Sequence, residues 1–160
     1  MDPIGFQTHD HAHCIENSLG VADQTCRENG LQLTAVRRRV LEILLQKHCA
    51  MGAYEVLDQL RSEGMGSQPP VAYRALDFLV SHGFAHRIER LNAFVACAHP
   101  GQQHAPCFLI CTSCSAVVEA PGRPAAEALG ISARELGFEI ERVAIEAEGK
   151  CPRCQEKVNA

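Results

Sequence analysis

The chain has 160 residues, 46% of them hydrophobic and 21% charged, with a formal net charge of −4; this is one ordinary domain or two small ones, with a soluble, globular composition. No apolar stretch approaches the ~20 residues of a bilayer span, so no membrane segment is expected. The acidity lies outside the middle of the chain, because residues 23–90 carry nine basic and eight acidic side chains; the charge neither demands nor forbids a nucleic-acid partner.

Residues 1–13 are polar, contain Pro3 and Gly5 and show no periodicity, so they are expected to form a mobile tail. They also lack the basic and apolar regions of a secretory signal, which points to the cytoplasm. His9, Asp10, His11, His13 and Cys14 could bind metal loosely there. A first helix is expected over Cys14–Asn29, stopped at Asn29 and Gly30. Thr34 is a suitable N-cap for a second, in which Val36, Val40, Ile43 and Leu44 form an apolar stripe and Arg37, Arg38 and Arg39 occupy the other face. A third spans Ala53–Ser62. After a loop, Pro70 suits the first turn of a fourth helix, whose stripe is Ala72, Ala75, Leu76 and Leu79. Phe84–Glu89 and Phe94–Cys97 then suit a β-hairpin. Helix, helix, helix, hairpin is the order of a winged helix.

Two prolines, a glycine and two glutamines between His99 and Pro106 suit a hinge. Beyond it Phe108–Cys111 and Ala116–Glu119 are expected as strands flanking a tight knuckle, Arg123–Leu136 as a helix, and Phe138–Glu148 as a last strand. The apolar residues of that strand change parity between Ile140 and Val143, which calls for a bulge or bend. The predicted organisation is a tail at 1–13, a winged helix at 14–97, a hinge at 98–106 and a second domain at 107–160. The fold class is α+β.

Nine cysteines in a reducing compartment favour metal ligation over disulfides. Cys111-Thr112-Ser113-Cys114 and Cys151-Pro152-Arg153-Cys154 are two C-x-x-C knuckles separated by 36 residues. Four thiolates so spaced can converge tetrahedrally on one Zn²⁺ at ~2.3 Å, leaving no open position for a substrate, so the predicted zinc is structural. It would add stability that a small core lacks. Zinc enzymes fit poorly. His86 and Glu89 are spaced H-x-x-E, not H-x-E, the proline follows Cys151 instead of preceding it, and H-E-x-x-H is absent. The chain is not expected to be an enzyme.

Leu33-Thr34 followed by Arg37 and Val40-Leu41, then Ala53-Tyr54-Glu55, the run Pro69-Pro70-Val71-Ala72-Tyr73-Arg74-Ala75-Leu76-Asp77-Phe78-Leu79, the segment Gly83-Phe84-Ala85-His86 and both knuckles occur in one order. Over about Cys26 to Cys154 this resembles the ferric uptake regulator family, and within it the subgroup of zinc uptake regulators. Ala35-Val36 stand where the family usually has proline-glutamine, and Val71-Ala72 where it has threonine-valine; the second departure removes a hydroxyl that could touch phosphate.

The resemblance implies an N-terminal winged-helix DNA-binding domain, a C-terminal α/β dimerisation domain with structural zinc, and a repressor that binds operator DNA as a homodimer. It also implies a regulatory zinc on His86, Cys97, His104 and Glu119, making two Zn²⁺ per chain, with His99 or Cys107 as substitute ligands. A metal held by all four would lock the angle between the two halves. Tyr73 and Arg74 stand near the end of the recognition helix that meets base edges, and Arg74 could pair with guanine. Tyr54 and Arg37 are phosphate candidates beside them. The thiolate of Cys97 favours zinc over iron, manganese or peroxide sensing. A zinc-ribbon protein-interaction module is the reading without DNA.

Overall fold

The computed structural model describes residues 11–47, 49–66 and 68–159. Residues 1–10 of the expected tail, with His9 and Asp10, lie outside them. Two compact units meet in sequence between Gly101 and Gln102, inside the 98–106 segment.

The first unit contains helices α1 (His11–Glu28), α2 (Ala35–Gln46), α3 (Ala53–Ser62) and α4 (Pro69–Ser81), then strands β1 (Ala85–Ile88) and β2 (Ala93–Ala96). Helix α1 starts at His11, so residues 11–13, expected in the tail, are helical. Leu19, Ala22 and Cys26 pack into the core, and a helix nucleated there extends backwards at one hydrogen bond per residue. The Thr34 hydroxyl accepts from the Arg37 N–H at 3.4 Å and caps α2. Val40, Leu41, Ile43 and Leu44 of α2 meet Val56, Leu57 and Leu60 of α3 and Ala72, Ala75, Leu76 and Leu79 of α4 in one core. The stripes that periodicity picked out are the buried faces.

Strands β1 and β2 form an antiparallel hairpin with Ala85 opposite Ala96 and Ile88 opposite Ala93. Met51 and Phe94 exchange backbone hydrogen bonds of 2.9 and 2.8 Å, which tie the hairpin to the residues just before α3. The wing is thereby held to the helical core.

The second unit contains β3 (Pro106–Cys111), β4 (Val117–Pro121), α5 (Arg123–Glu135), β5 (Ile145–Gly149) and α6 (Pro152–Asn159). The sheet order is β4-β3-β5, with β4 antiparallel and β5 parallel to β3. Only the last four residues of the expected Phe138–Glu148 strand, with Gly149, become strand. Phe138 instead closes α5: its N–H reaches Ala133 O at 2.8 Å and the Gly137 N–H reaches Arg134 O at 3.1 Å, with Gly137 at φ +66°. That is a Schellman end, which consumes the residues preceding the parity change. Gly122 permits a close approach, since a Cβ there would lie 2.6 Å from Ala105 O. Helix α6 was not anticipated; eight residues are too short for periodicity to register.

Buried apolar side chains here are few, chiefly Phe108, Ile110, Val117, Val118 and Ala133, while Cys111, Ala116 and Cys151 form a separate small cluster. Sulfur occupies part of the space where a larger domain would place leucine. Among the described residues, no helix is long and apolar enough to cross a membrane.

Candidate metal centres and nucleic-acid face

Cys111 ends β3 and opens a turn in which Ser115, at φ +59°, donates its N–H to Cys111 O at 2.9 Å. The turn carries Cys114 back toward the strand end. Cys151 lies two residues past the end of β5, and the first turn of α6 folds Cys154 over it through Cys154 N–H to Cys151 O at 2.9 Å. The parallel pairing of β3 with β5 places Cys111 opposite Gly149, and Thr112 clamps the Gly149 carbonyl through its N–H at 2.8 Å and its hydroxyl at 3.1 Å. Sheet register thus brings two knuckles 36 residues apart to one point.

All four sulfurs lie within 4.8 Å of one another, and Cys114 Sγ is 3.7 Å from Cys151 Sγ. Tetrahedral ligation at a Zn–S distance of ~2.3 Å separates sulfurs by ~3.8 Å, so the cluster fits that ion. The Cys151 N–H, 3.4 Å from Cys111 Sγ, pulls the Cys111 thiol down to about 6, helped by the backbone of Cys114 and Ser113. Hydrogen bonding to Cys151 and burial push the Cys154 thiol up to about 12. Four thiols this close do not ionise together unless a central cation offsets their charge. The site is closed to a fifth partner and suits a structural role.

The other four candidate ligands fall into two pairs, one in each unit. In the first unit His86 on β1 and Cys97, just past β2, bring their donor atoms within 4.8 Å of each other. Cys97 is buried, its N–H donates to Phe84 O at 3.0 Å, and the His99 N–H approaches its sulfur at 3.4 Å. His99 therefore supports Cys97 through its backbone, a role that side-chain type could not signal.

In the second unit His104 Nε2 lies 2.6 Å from Glu119 Oε1, and its Nδ1 lies 2.8 Å from Gln102 O. A ring nitrogen facing a carbonyl must be its N–H, which leaves Nε2, on the Glu119 side, as the nitrogen whose lone pair a metal would take. Such a backbone hydrogen bond orients a ligating histidine. Glu119 is held on β4 opposite Phe108. Cys107, half-buried on β3, has its thiol raised by desolvation, which disfavours the thiolate a metal requires.

Helix α4 buries Ala72, Ala75, Leu76 and Leu79 and exposes Pro70, Tyr73, Arg74, Asp77 and Ser81 on its opposite side. Tyr54, in the first turn of α3, is 64% exposed and Tyr73 43%, and their rings meet edge to face at 6.4 Å. Two large aromatic side chains exposed together beside Arg74 make a surface shaped for contact.

The three consecutive arginines of α2 have different surroundings. Arg37 packs its guanidinium 3.8 Å from the Phe78 ring centroid and donates to Gln32 O at 2.6 Å. Arg38 pairs with Asp23 of α1. Arg39 bonds both oxygens of Glu63, at 2.7 and 2.8 Å, and Glu42 at 2.8 Å; these bonds raise the arginine pKa and lower that of Glu63. Each of the three has a partner from outside α2: Phe78 on α4, Asp23 on α1 and Glu63 just past the end of α3.

Comparison with known proteins places these features in context. The family model described as the ferric uptake regulator family matches residues 28–148. The zinc uptake regulation protein of Escherichia coli (strain K12) is 35% identical over 139 residues, covering 86% of this chain and 81% of that protein. A solved zinc uptake regulator complexed with zinc and DNA superposes with a TM-score of 0.87 at 33% identity, covering 91% of this chain and 98% of that one. The holo crystal structure of XcZur superposes with a TM-score of 0.80 at 39% identity, over 88% and 98% of the respective chains. The order of elements, the paired knuckles and these matches agree: this chain belongs to the ferric uptake regulator family.

Proposed function

We propose that this protein is a zinc-responsive transcriptional repressor that binds operator DNA as a zinc-loaded homodimer and represses zinc uptake genes. The carrying observation is the wing pair: a buried thiol, Cys97, with its sulfur within 4.8 Å of a His86 ring nitrogen. Thiolate with imidazole is a soft, borderline donor set suited to Zn²⁺, and redox-inert zinc does not oxidise it. Iron, manganese and peroxide sensing are disfavoured for that reason. The solved zinc uptake regulator bound to zinc and DNA supports the same reading.

In this reading Cys111, Cys114, Cys151 and Cys154 hold a structural zinc, and His86, Cys97, His104 and Glu119 hold a regulatory one, two per chain. Zinc bound there would supply the positive charge that these four donors offset. The chain's part is to present them: His104 through Nε2, with Nδ1 tied to Gln102 O, and Glu119 from a strand. Zinc that binds the DNA-competent arrangement better shifts the population toward it, and a full switch takes ~5 kcal/mol of differential affinity. DNA must in turn tighten zinc. Tyr73 and Arg74 meet base edges, with Tyr54 as a backbone candidate, while Arg37, a phosphate candidate in the sequence, is packed on Phe78 instead. Leu129, Ile131, Leu136 and Phe138 are 48, 51, 82 and 67% exposed, and exposed apolar side chains of the second unit are the candidates for a dimer interface. Cytoplasmic location follows from the work of a DNA repressor.

The test is binding of purified protein to duplex DNA from a zinc-importer promoter across buffered free zinc, with Mn²⁺ and Fe²⁺ in parallel. Binding that rises with zinc supports the assignment. Binding indifferent to zinc, or better with another metal, overturns the role of the four regulatory donors.

A further inference from the structure

We infer that Arg37 is a positioning residue: stacked on Phe78, it sets the roll of α4 about its own axis and so the aim of Tyr73 and Arg74. This rests on the reading of α4 as the DNA-reading helix. Phe78 stands four residues after Arg74, hence on the same side of α4 one turn further on. Its ring is flanked by the Arg37 guanidinium at 3.8 Å and by the His82 ring at 4.6 Å between centroids, with Phe84 at 6.5 Å. Arg37 is held from its other side, because Nη1 donates to Gln32 O at 2.6 Å in the segment leading into α2. The arginine therefore spans from the α2 lead-in to the edge of α4.

The buried face of α4 explains why such a brace matters. Its two inward residues nearest Tyr73 and Arg74 are Ala72 and Ala75, whose short side chains interlock little with neighbouring helices and resist rotation weakly. Leu76 and Leu79 anchor the helix further along. With an extended arginine tip ~8 Å from the helix axis, a roll of ~10° moves it ~1.4 Å, enough to break a bidentate base contact. A flat guanidinium over a ring opposes that roll, whereas a lysine ammonium would neither stack nor hold the carbonyl in the same plane. The same three-point arrangement leaves Arg37 folded against its own protein instead of extended toward a phosphate.

The experiment compares wild type, Arg37→Met, Phe78→Leu and the double variant, all zinc-loaded, on two probes. One is a duplex selected by the wild-type protein from a random pool; the other is a scrambled duplex of equal length. Each single variant is expected to lose about 2- to 30-fold on the selected duplex and to change little on the scrambled one. The double variant should be no worse than the poorer single, since both remove one contact. The salt dependence should keep its slope, and Arg37→Lys should not rescue.

If Arg37→Met instead weakens both duplexes alike and lowers the salt slope by ~1 per protomer, Arg37 grips phosphate and the inference is overturned. A lowered melting temperature with unchanged affinity for the selected duplex makes the stack merely structural and overturns it equally. Should wild type itself select no duplex, the DNA reading falls, and amide hydrogen exchange along α4 decides the brace by itself: exchange unchanged in Arg37→Met removes it.

Discussion

Replacing Arg74 with alanine separates base reading from folding. Arg74 is exposed on α4, opposite the buried Ala72, Ala75, Leu76 and Leu79, so truncation opens no cavity. Alanine is also the best helix former, and the melting temperature of zinc-loaded protein should hold within ~0.5 kcal/mol of stability. A bidentate arginine–guanine pair contributes ~1–3 kcal/mol of discrimination, about 5- to 140-fold per half-site. A two-fold dimer loses that twice, so operator affinity should fall at least about 30-fold. Fluorescence anisotropy with a labelled operator and a scrambled duplex, at three salt concentrations and fixed excess zinc, measures this directly. The expected pattern is a large loss on operator, a small one on scrambled DNA and an unchanged salt slope. Undiminished operator affinity with zinc content intact refutes α4 as the reading helix, and a uniform loss with a shallower slope reassigns Arg74 to the phosphates.

Three further outcomes are expected. Cys154→Ser should remove one zinc per chain and unfold the second unit while α1 to α4 keep their helicity; metal analysis with circular dichroism reads both, and full zinc retention contradicts the four-sulfur site. Cys97→Ala should keep the structural zinc yet move DNA binding to at least about tenfold higher free zinc, because a ligand is lost while its neighbours remain; an unmoved zinc midpoint removes Cys97 from the sensor. Glu63, whose pKa is lowered by its hydrogen bonds from Arg39, contributes stability that is present above the ordinary carboxylate range and lost as pH falls through its depressed value. Glu63→Gln should therefore be less stable than wild type near neutral pH and converge with it in acid, as urea titrations at several pH values would record; parallel curves at all pH values contradict the linkage.

Much of the architecture could be read from residues because it depends on local pattern. Thr34 caps α2 as its hydroxyl allows, the apolar stripes of α2, α3 and α4 are buried at the spacing a helix imposes, and paired C-x-x-C knuckles announce four sulfurs before any sheet is known. The start of α1 and the start of the last strand escaped that reading. One is set by burial of Leu19, Ala22 and Cys26 downstream, the other by a left-handed Gly137 that takes Phe138 out of the following strand.

The sequence by itself determined which residues could act: the thiols, the imidazoles, the carboxylate of Glu119, and the exposed tyrosines and Arg74 on amphipathic helices. Tertiary structure decided what each one meets. The parallel register of β3 and β5 carries Cys111 to Cys151, the Gln102 carbonyl takes the Nδ1 side of His104 and leaves Nε2 toward Glu119 for a metal, and three adjacent arginines are assigned to Phe78, Asp23 and Glu63 in turn. These partners lie on elements distant in the chain, and periodicity describes only which way a side chain faces, not what waits there.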